Sequence, residues 1–240
     1  MKIIQVENYN QMSKEAASLL IDEISKNPSL AIGFCTGGTP LGLYKELIKS
    51  YKNKKVDFSM VKSFNLDEYY PIKKSNTNSF YYYMFHNLFN HINIKKTNIH
   101  IFNGDSKNPD RECLDYEKKI KRNSIDIQII GVGVNGHIGF NEPGSFFASK
   151  TRKVKLSKQT LKINSKYFKN SKKIPTYALT VGIGTIIGAK KIILLASGKN
   201  KAAAIKCLYE REDPCFPVSF LRKHKDLTVI IDKKAGSLLK

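Results

Sequence analysis

The sequence contains no apolar run long enough to cross a bilayer, because its longest runs are about the length of a strand and a spanning helix needs ~20 residues. The segment from Met1 to Glu7 has no apolar stretch with a cleavage site, so we expect no secretory signal. The 4 cysteines lie far apart and form no Cys-x-x-Cys pair, which disfavours a disulfide scaffold or a zinc finger. These absences predict a soluble cytoplasmic protein with reduced thiols and no membrane partner.

Acidic residues are also scarce: 20 Asp+Glu stand against 41 Lys+Arg, which gives a net charge of +21. Such an excess can indicate nucleic-acid binding. Only 5 of the basic residues are arginines, however, and the lysines are scattered along the chain. Arginine is the residue that most often binds guanine and phosphate, so we expect no specific nucleic-acid partner. The alternative is a nucleic-acid-binding protein, which retention on polyanions through moderate salt would favour. No acidic residue lies between Glu142 and Glu210, and an anionic ligand near that segment would meet an unopposed positive field.

Helical and extended patterns alternate along the chain. Apolar residues recur with a helical period over 11–26, and further helices are expected from Thr39-Pro40, over 80–89 and from Asn108 to about Arg122. Strands are predicted at 30–35, 61–66, 99–102, 125–129, 191–196 and 227–231. Strands separated by ~10–15-residue helical spans indicate an α/β fold with a mostly parallel sheet. Without a repeat or a composition break, we expect a single domain over 1–240, with ligands outside the carboxyl ends of the strands.

Two loops that follow predicted strands could bind an anion. In the first, Thr36-Gly37-Gly38-Thr39, the glycines allow backbone N–H groups to turn inward at the start of a helix, with Thr39 as its N-cap. The alternative is a simple tight turn. The second loop runs from Ser197 to Ala202 and places Lys201 in the first turn of a helix, where a cation opposes the dipole unless an anion lies above it. The alternative there is a solvated pair of lysines.

Acid–base chemistry is predicted in two other loops. Asp67 and Glu68 follow an apolar strand. Because neighbouring side chains point apart, one of the two can face a site while the other faces solvent or caps a helix. The alternative is that both simply cap a turn. The loop 131–144 contains a formal Gly-x-Gly-x-x-Gly, but no helix pattern and no ribose-binding acid follow it. It leaves Asn135, His137 and Glu142 together, which favours a catalytic loop over a packed histidine.

At these loops the sequence resembles the glucosamine-6-phosphate deaminase family. The matching stretches are TGGTP at 36–40, FNLDEY at 64–69, GVGVNGHIGFNEP at 131–143, YALTVG at 177–182 and GKNKA at 198–202. The resemblance implies a modified doubly wound, Rossmann-like sheet with helices on both faces. It also implies conversion of glucosamine 6-phosphate and water to fructose 6-phosphate and ammonia in N-acetylglucosamine breakdown, with no metal and no organic cofactor.

The resemblance also implies roles for individual residues. His137 accepts and relays the proton that opens the pyranose ring, with Glu142 sharing the proton work and Asn135 in a hydrogen-bonding role. Asp67 takes the proton from C2 for the aldose-to-ketose isomerisation. The residues expected to bind the substrate, chiefly its phosphate, are Thr36, Gly37, Gly38, Thr39, Lys166 and Lys201.

Three departures from the family pattern shape further expectations. Some members carry Asp where this chain has Asn135, and many carry a phosphate-binding Arg where it has Lys166. The chain ends at Lys240, shorter than the hexameric members, and Phe146 occupies a small polar position of their activator site. We therefore expect a monomer without allosteric activation. We also expect a mobile lid at about 152–181. The alternatives are galactosamine-6-phosphate deaminase and, further off, 6-phosphogluconolactonase.

Overall fold

The computed structural model describes residues 1–165, 168 and 174–239. Seven strands form one sheet: β1 (Lys2–Val6), β2 (Ala31–Phe34), β3 (Lys62–Asn65), β5 (Ile99–His100), β6 (Ile127–Gly131), β9 (Lys191–Ala196) and β10 (Leu227–Asp232). Their order across the sheet is β1-β10-β9-β6-β2-β3-β5, and every neighbouring pair is parallel.

Helices connect the strands and cover both faces of the sheet. They are α1 (Tyr9–Lys26), α2 (Leu41–Lys52), α3 (Phe80–Asn87), α4 (Pro109–Asn123), α5 (Lys158–Asn164), α6 (Ile183–Ile186) and α7 (Ala202–Glu210). Every residue of β2 and of β10 is buried, and successive strand side chains point to opposite faces, so both faces must be covered. This confirms the predicted doubly wound, mostly parallel α/β fold.

Polar caps fix the starts of several helices. The Asn8 side chain accepts the Gln11 N–H at the start of α1, and Asn108 accepts the Arg111 N–H at the start of α4. The start of α2 differs from the sequence prediction: the N-cap is Pro40, without a side-chain hydrogen bond, and Thr39 does not cap the helix. The Thr39 side chain instead borders the cavity described below.

A second, three-stranded sheet was not predicted. The residues after β3 were expected to form a loop, but they form β4 (Asp67–Tyr70), which pairs antiparallel with β8 (Tyr177–Thr180); β8 also pairs with β7 (Arg152–Lys155). Asp67 lies opposite Thr180 across this pair. The small sheet thus brings β7 and β8 next to the carboxyl end of the main sheet. None of the described helices is long and apolar enough to cross a membrane.

The strand order reverses between β2 and β6. From β2 the chain proceeds through β3 to β5 on one side, then returns to β6 and continues through β9 and β10 on the other. In open α/β sheets the loops at such a reversal diverge and leave a crevice at the carboxyl ends of the strands. The loops after β2 and β6 are the predicted anion-binding turn and the predicted histidine loop.

Candidate active site

A cavity of about 440 Å³ opens at this strand reversal. Its walls come from the turn after β2, from β4, from the loop after β6, from the start of α3 and from the turn before α7. Seven of the predicted site residues line it: Thr36, Gly37, Gly38, Thr39, Asp67, His137 and Lys201. Side chains from separate loops therefore converge on one volume.

The turn after β2 presents backbone donors to the cavity. Gly37 has φ +98°, in the left-handed region that an L side chain rarely adopts. Among the described residues, the N–H groups of residues 36–39 have no protein acceptor. Backbone N–H groups at a turn that leads into a helix form a site suited to phosphate or carboxylate.

Lys201 adds a cation beside this turn. It ends the 3₁₀ turn Lys199–Lys201 ahead of α7, and burial lowers the pKa of its ammonium group. No carboxylate in the described part of the chain lies within ion-pair distance of it. The supporting loop is held by Asp232, which accepts a hydrogen bond from Ser197 Oγ at 2.5 Å and another from the Gly198 N–H at 3.1 Å. Lys201 is thus a charge held at the cavity without an anionic partner in the described part of the chain.

Asp67 is a buried carboxyl group that faces the cavity. It is 6% exposed, and its Oδ1 atom has no hydrogen-bond partner among the described residues. Burial raises the pKa of Asp67 to about 8, and the neighbouring Glu68 contributes to the rise in the same direction. A β-carbon placed on Gly139 would lie 3.4 Å from Asp67 Oδ2, so the histidine loop passes directly over this carboxyl group.

Glu68 points away from the cavity, as strand alternation predicts for one of two adjacent acids. Its carboxylate accepts the N–H groups of Phe80 and Tyr81, both at 2.8 Å, at the start of α3. Burial raises the pKa of Glu68 to about 7 despite these donors. Glu68 therefore fixes α3 against β4, and its carboxyl group stays close enough to act on Asp67.

The histidine loop fixes the tautomer of His137. Asn135 Oδ1 accepts the backbone N–H of His137 at 3.3 Å and also lies 2.6 Å from His137 Nδ1. Since an amide oxygen only accepts hydrogen bonds, Nδ1 carries the proton and Nε2 keeps its lone pair. Burial lowers the pKa of His137, the charge of Lys201 lowers it further and Glu142 opposes both. The result is a neutral imidazole with a basic nitrogen.

Two glycines make this histidine geometry possible. A β-carbon on Gly133 would lie 2.2 Å from the His137 ring, so no larger residue fits under the imidazole. Gly136 has φ +77°, and its N–H closes the turn on the Gly133 carbonyl at 3.0 Å. Of the glycines that suggested a dinucleotide motif, Gly133 is required here by the packing of the histidine and Gly136 by its backbone conformation.

Glu142 lies behind the cavity wall. Its Oε1 atom accepts a hydrogen bond from Thr160 Oγ1 at 2.5 Å and one from the Ser157 N–H at 3.4 Å. Glu142 therefore acts on His137 through its charge, while its direct contacts are with the start of α5. Thr160 itself lines the cavity, which connects the predicted lid segment with the predicted catalytic loop.

An aromatic wall completes the cavity and was not recognised in the sequence. Tyr69, Phe80, Phe140 and Phe168 pack with ring centroids 4.8–5.9 Å apart and all line the cavity. The aromatic run that begins at Phe80 was predicted only as a helix, and its density of aromatic residues was the available signal for a wall.

Cys35 directly precedes the turn after β2, and Lys166 is among the residues expected to bind the phosphate. Cys35 lines the cavity, but burial raises the pKa of its thiol to about 12, with the charge of Asp67 adding to the effect, so the group is not a nucleophile. Lys166 lies outside the described residues.

Within the described chain, no group of 3 or more His, Cys, Asp or Glu side chains is placed to hold a metal ion.

Comparison with known proteins agrees with this geometry. Residues 5–230 match the family described as glucosamine-6-phosphate isomerases/6-phosphogluconolactonase. The glucosamine-6-phosphate deaminase of Clostridium novyi (strain NT) is 52% identical over 241 residues, 100% of both chains. A solved structure described as a monomeric glucosamine-6-phosphate deaminase has a TM-score of 0.96 and 41% identity, covering 99% of this chain and 100% of its own.

A more distant solved structure marks the limit of the comparison. The 6-phosphogluconolactonase from Trypanosoma cruzi has a TM-score of 0.78 at 22% identity, covering 100% of this chain and 97% of its own. At that identity the likeness shows the fold alone.

Proposed function

Because the chain belongs to the glucosamine-6-phosphate isomerase and 6-phosphogluconolactonase family, we propose that its cavity converts glucosamine 6-phosphate and water to fructose 6-phosphate and ammonia. The protein is an enzyme of amino-sugar metabolism, and full-length relatives at 50–52% identity are glucosamine-6-phosphate deaminases. The observation that carries the proposal is the convergence of Asp67, His137 and a backbone anion site on one cavity of about 440 Å³.

The reaction needs a group that moves a proton at the ring oxygen. His137 Nε2 suits this task because Asn135 holds the proton on Nδ1 and burial keeps the imidazole neutral. Nε2 accepts the proton of the C1 hydroxyl and delivers it to the ring oxygen as the C1–O5 bond breaks. Glu142 stabilises the imidazolium that forms in between, since its charge is the one that raises the pKa of His137.

The next step needs a base beside C2. Asp67 is suited to it because a buried carboxylate with a pKa of about 8 is a stronger base than an exposed one. The C2 ammonium of the bound substrate favours the ionised form of Asp67. The carboxylate removes the C2 proton to give an enolamine, protonation at C1 gives the ketimine, and addition of water at C2 followed by loss of ammonia gives the ketose.

The phosphate lies on the turn after β2 and on Lys201. The N–H groups of the turn, the hydroxyls of Thr36 and Thr39 and the Lys201 ammonium supply donors and positive charge without a competing acid. Lys166 adds a further positive charge in this assignment. Anchoring the phosphate positions the distant C1 and C2 atoms.

The segment at about 152–181 closes over the bound sugar as a lid. Support for this comes from Thr160 and Phe168, which belong to the segment and line the cavity, and from the bond between Thr160 and Glu142. The enzyme acts as a monomer without allosteric activation; the support is its similarity to the solved structure described as monomeric. Light scattering would test the monomer, and strictly hyperbolic kinetics would test the absence of activation.

The direct test is to incubate purified protein with glucosamine 6-phosphate and quantify ammonia and fructose 6-phosphate. Equal amounts of both products support the proposal. Galactosamine 6-phosphate and 6-phosphogluconolactone serve as comparison substrates, and faster turnover of either would replace glucosamine 6-phosphate by the corresponding alternative. Release of neither product would refute the proposed reaction.

A further inference from the structure

Three tyrosines from three different helices hold the carbonyl groups of the turn after β2. The Tyr44 hydroxyl, from α2, donates to the Cys35 carbonyl. The Tyr83 hydroxyl, from α3, donates to the Gly37 carbonyl at 2.6 Å. The Tyr9 hydroxyl, from α1, donates to the Gly38 carbonyl at 3.1 Å and accepts the Gly42 N–H at 2.7 Å.

These bonds control where the next backbone N–H groups point. In a trans peptide the C=O and the following N–H lie in one plane and point in opposite directions. Fixing the carbonyls of residues 35, 37 and 38 therefore fixes the N–H groups of Thr36, Gly38 and Thr39. Those N–H groups have no acceptor among the described residues, and all three residues line the cavity.

The turn needs such support because its sequence is intrinsically flexible. Two successive glycines reach many backbone conformations, and Gly37 is held at φ +98°. A rotation of either glycine peptide would turn a carbonyl oxygen toward the cavity, where it would repel an anion. The close approach of α1 and α2 that places Tyr9 is equally specific, since a β-carbon on Gly42 would lie 2.1 Å from Ser13 Oγ and 3.0 Å from the Tyr9 ring.

We infer that Tyr9 and Tyr83 are positioning residues that lock the turn into its anion-binding conformation and thereby set the affinity for the phosphate group of the substrate. This inference rests on the proposed function for the identity of the substrate. Tyr44 fixes the strand end, and its complete burial makes it part of the core. Tyr9 and Tyr83 are only partly buried, so removing their hydroxyls leaves the core intact.

The test is to compare Tyr9→Phe, Tyr83→Phe and the double variant with the wild type. Each single change removes a hydroxyl and keeps the ring, so the KM for glucosamine 6-phosphate should rise about two- to tenfold with little change in kcat. Because both hydroxyls hold the same turn, their effects are coupled, and the KM of the double variant should rise more than that of either single variant, on the order of 10- to 100-fold. The dissociation constant for inorganic phosphate, measured by isothermal titration calorimetry, should rise by the same factors.

Tyr82→Phe is the matched control, because Tyr82 lies on the exposed side of the same helix, with its ring stacked on His86. It should leave the KM and the phosphate affinity unchanged. A merely structural role for Tyr9 and Tyr83 would lower the active fraction, and hence kcat, at constant KM. Unchanged KM and unchanged phosphate affinity in the double variant would overturn the inference.

The calorimetric measurement separates this inference from the proposed function. If the wild type releases no ammonia but phosphate binds more weakly to Tyr9→Phe and Tyr83→Phe, the proposed reaction fails and the role of the tyrosines stands. If ammonia is released normally and the variants match the wild type in both measurements, the reaction stands and the role of the tyrosines fails.

Discussion

Replacing Asp67 by Asn should make the protein more stable while it removes activity. Asp67 is buried, its Oδ1 atom has no hydrogen-bond partner in the described chain and its pKa is raised to about 8. The folded state therefore holds a protonated carboxyl group over a pH range in which the unfolded chain holds an ionised one. An asparagine keeps the shape and removes this mismatch.

The sign and size of the effect follow from the pKa values of the two states. A raised folded-state pKa stabilises the fold fully below pH 3.8, the ordinary value, and this stability is lost as pH rises to about 8. The loss is about 1.4 kcal/mol per pH unit, or about 6 kcal/mol in total as an upper limit. Relaxation of the site reduces this value. We therefore expect the free energy of unfolding of Asp67→Asn, relative to the wild type, to be about 2–4 kcal/mol higher at pH 8 than at pH 4.

Urea unfolding at pH 4, 6 and 8 would measure this difference. Cys35 is adjacent, but its pKa of about 12 keeps it neutral at all three pH values. Asp57→Asn is the matched control, because hydrogen bonds from Ser59 and Asn93 lower the pKa of the Asp57 carboxyl group. Replacing this carboxylate should destabilise the protein at neutral pH and have less effect in acid. A pH-independent stability change in Asp67→Asn, or one that favours the wild type increasingly toward pH 8, would refute the reasoning.

Further predictions concern the histidine loop and the phosphate site. Asn135→Asp places a carboxylate on His137 Nδ1, so the His137 pKa, followed by NMR titration of the ring proton, should rise. Gly133→Ala should lower the free energy of unfolding in urea by about 1–3 kcal/mol, because its β-carbon would meet the imidazole at 2.2 Å. Lys201→Met should raise the KM for glucosamine 6-phosphate about 10- to 100-fold in steady-state assays, since a charged donor to the phosphate is lost.

Each of these has a contradicting result. A His137 pKa that stays constant or falls in Asn135→Asp would mean that the two side chains do not interact as described. Gly38→Ala is the control for Gly133→Ala, because a β-carbon at Gly38 would have no neighbour within 4 Å; equal destabilisation by both changes would discount the contact with the ring. A Lys201→Met variant with an unaltered KM would remove Lys201 from the phosphate site.

Local patterns were sufficient to predict most of the main sheet. The run over 191–196 is continuously apolar after Lys191, and it forms β9 with the predicted bounds, because a central parallel strand is covered on both faces. The strand at 227–231 was predicted for the same reason and extends by one residue, to Asp232. These interior strands carry a strong signal in their composition alone.

Structure that depends on distant pairing was not predictable in this way. Asp67–Tyr70 reads D-E-Y-Y, without an apolar alternation, and it becomes a strand because residues 177–180, far along the chain, pair with it. The contact between Glu142 and Thr160 and the tyrosine bonds to the turn arise from the same kind of long-range packing. The glycine-rich loops were located from sequence, whereas the side chains that hold them were not.

The central claim is that Asp67 removes the C2 proton of a sugar phosphate that is held at the turn after β2. Proton NMR of glucosamine 6-phosphate in D₂O measures this directly through the C2 signal. With the wild type the C2 proton signal of glucosamine 6-phosphate should disappear, while with Asp67→Asn it should persist although inorganic phosphate binds with unchanged affinity. Removal of that proton by Asp67→Asn at the wild-type rate would contradict the account.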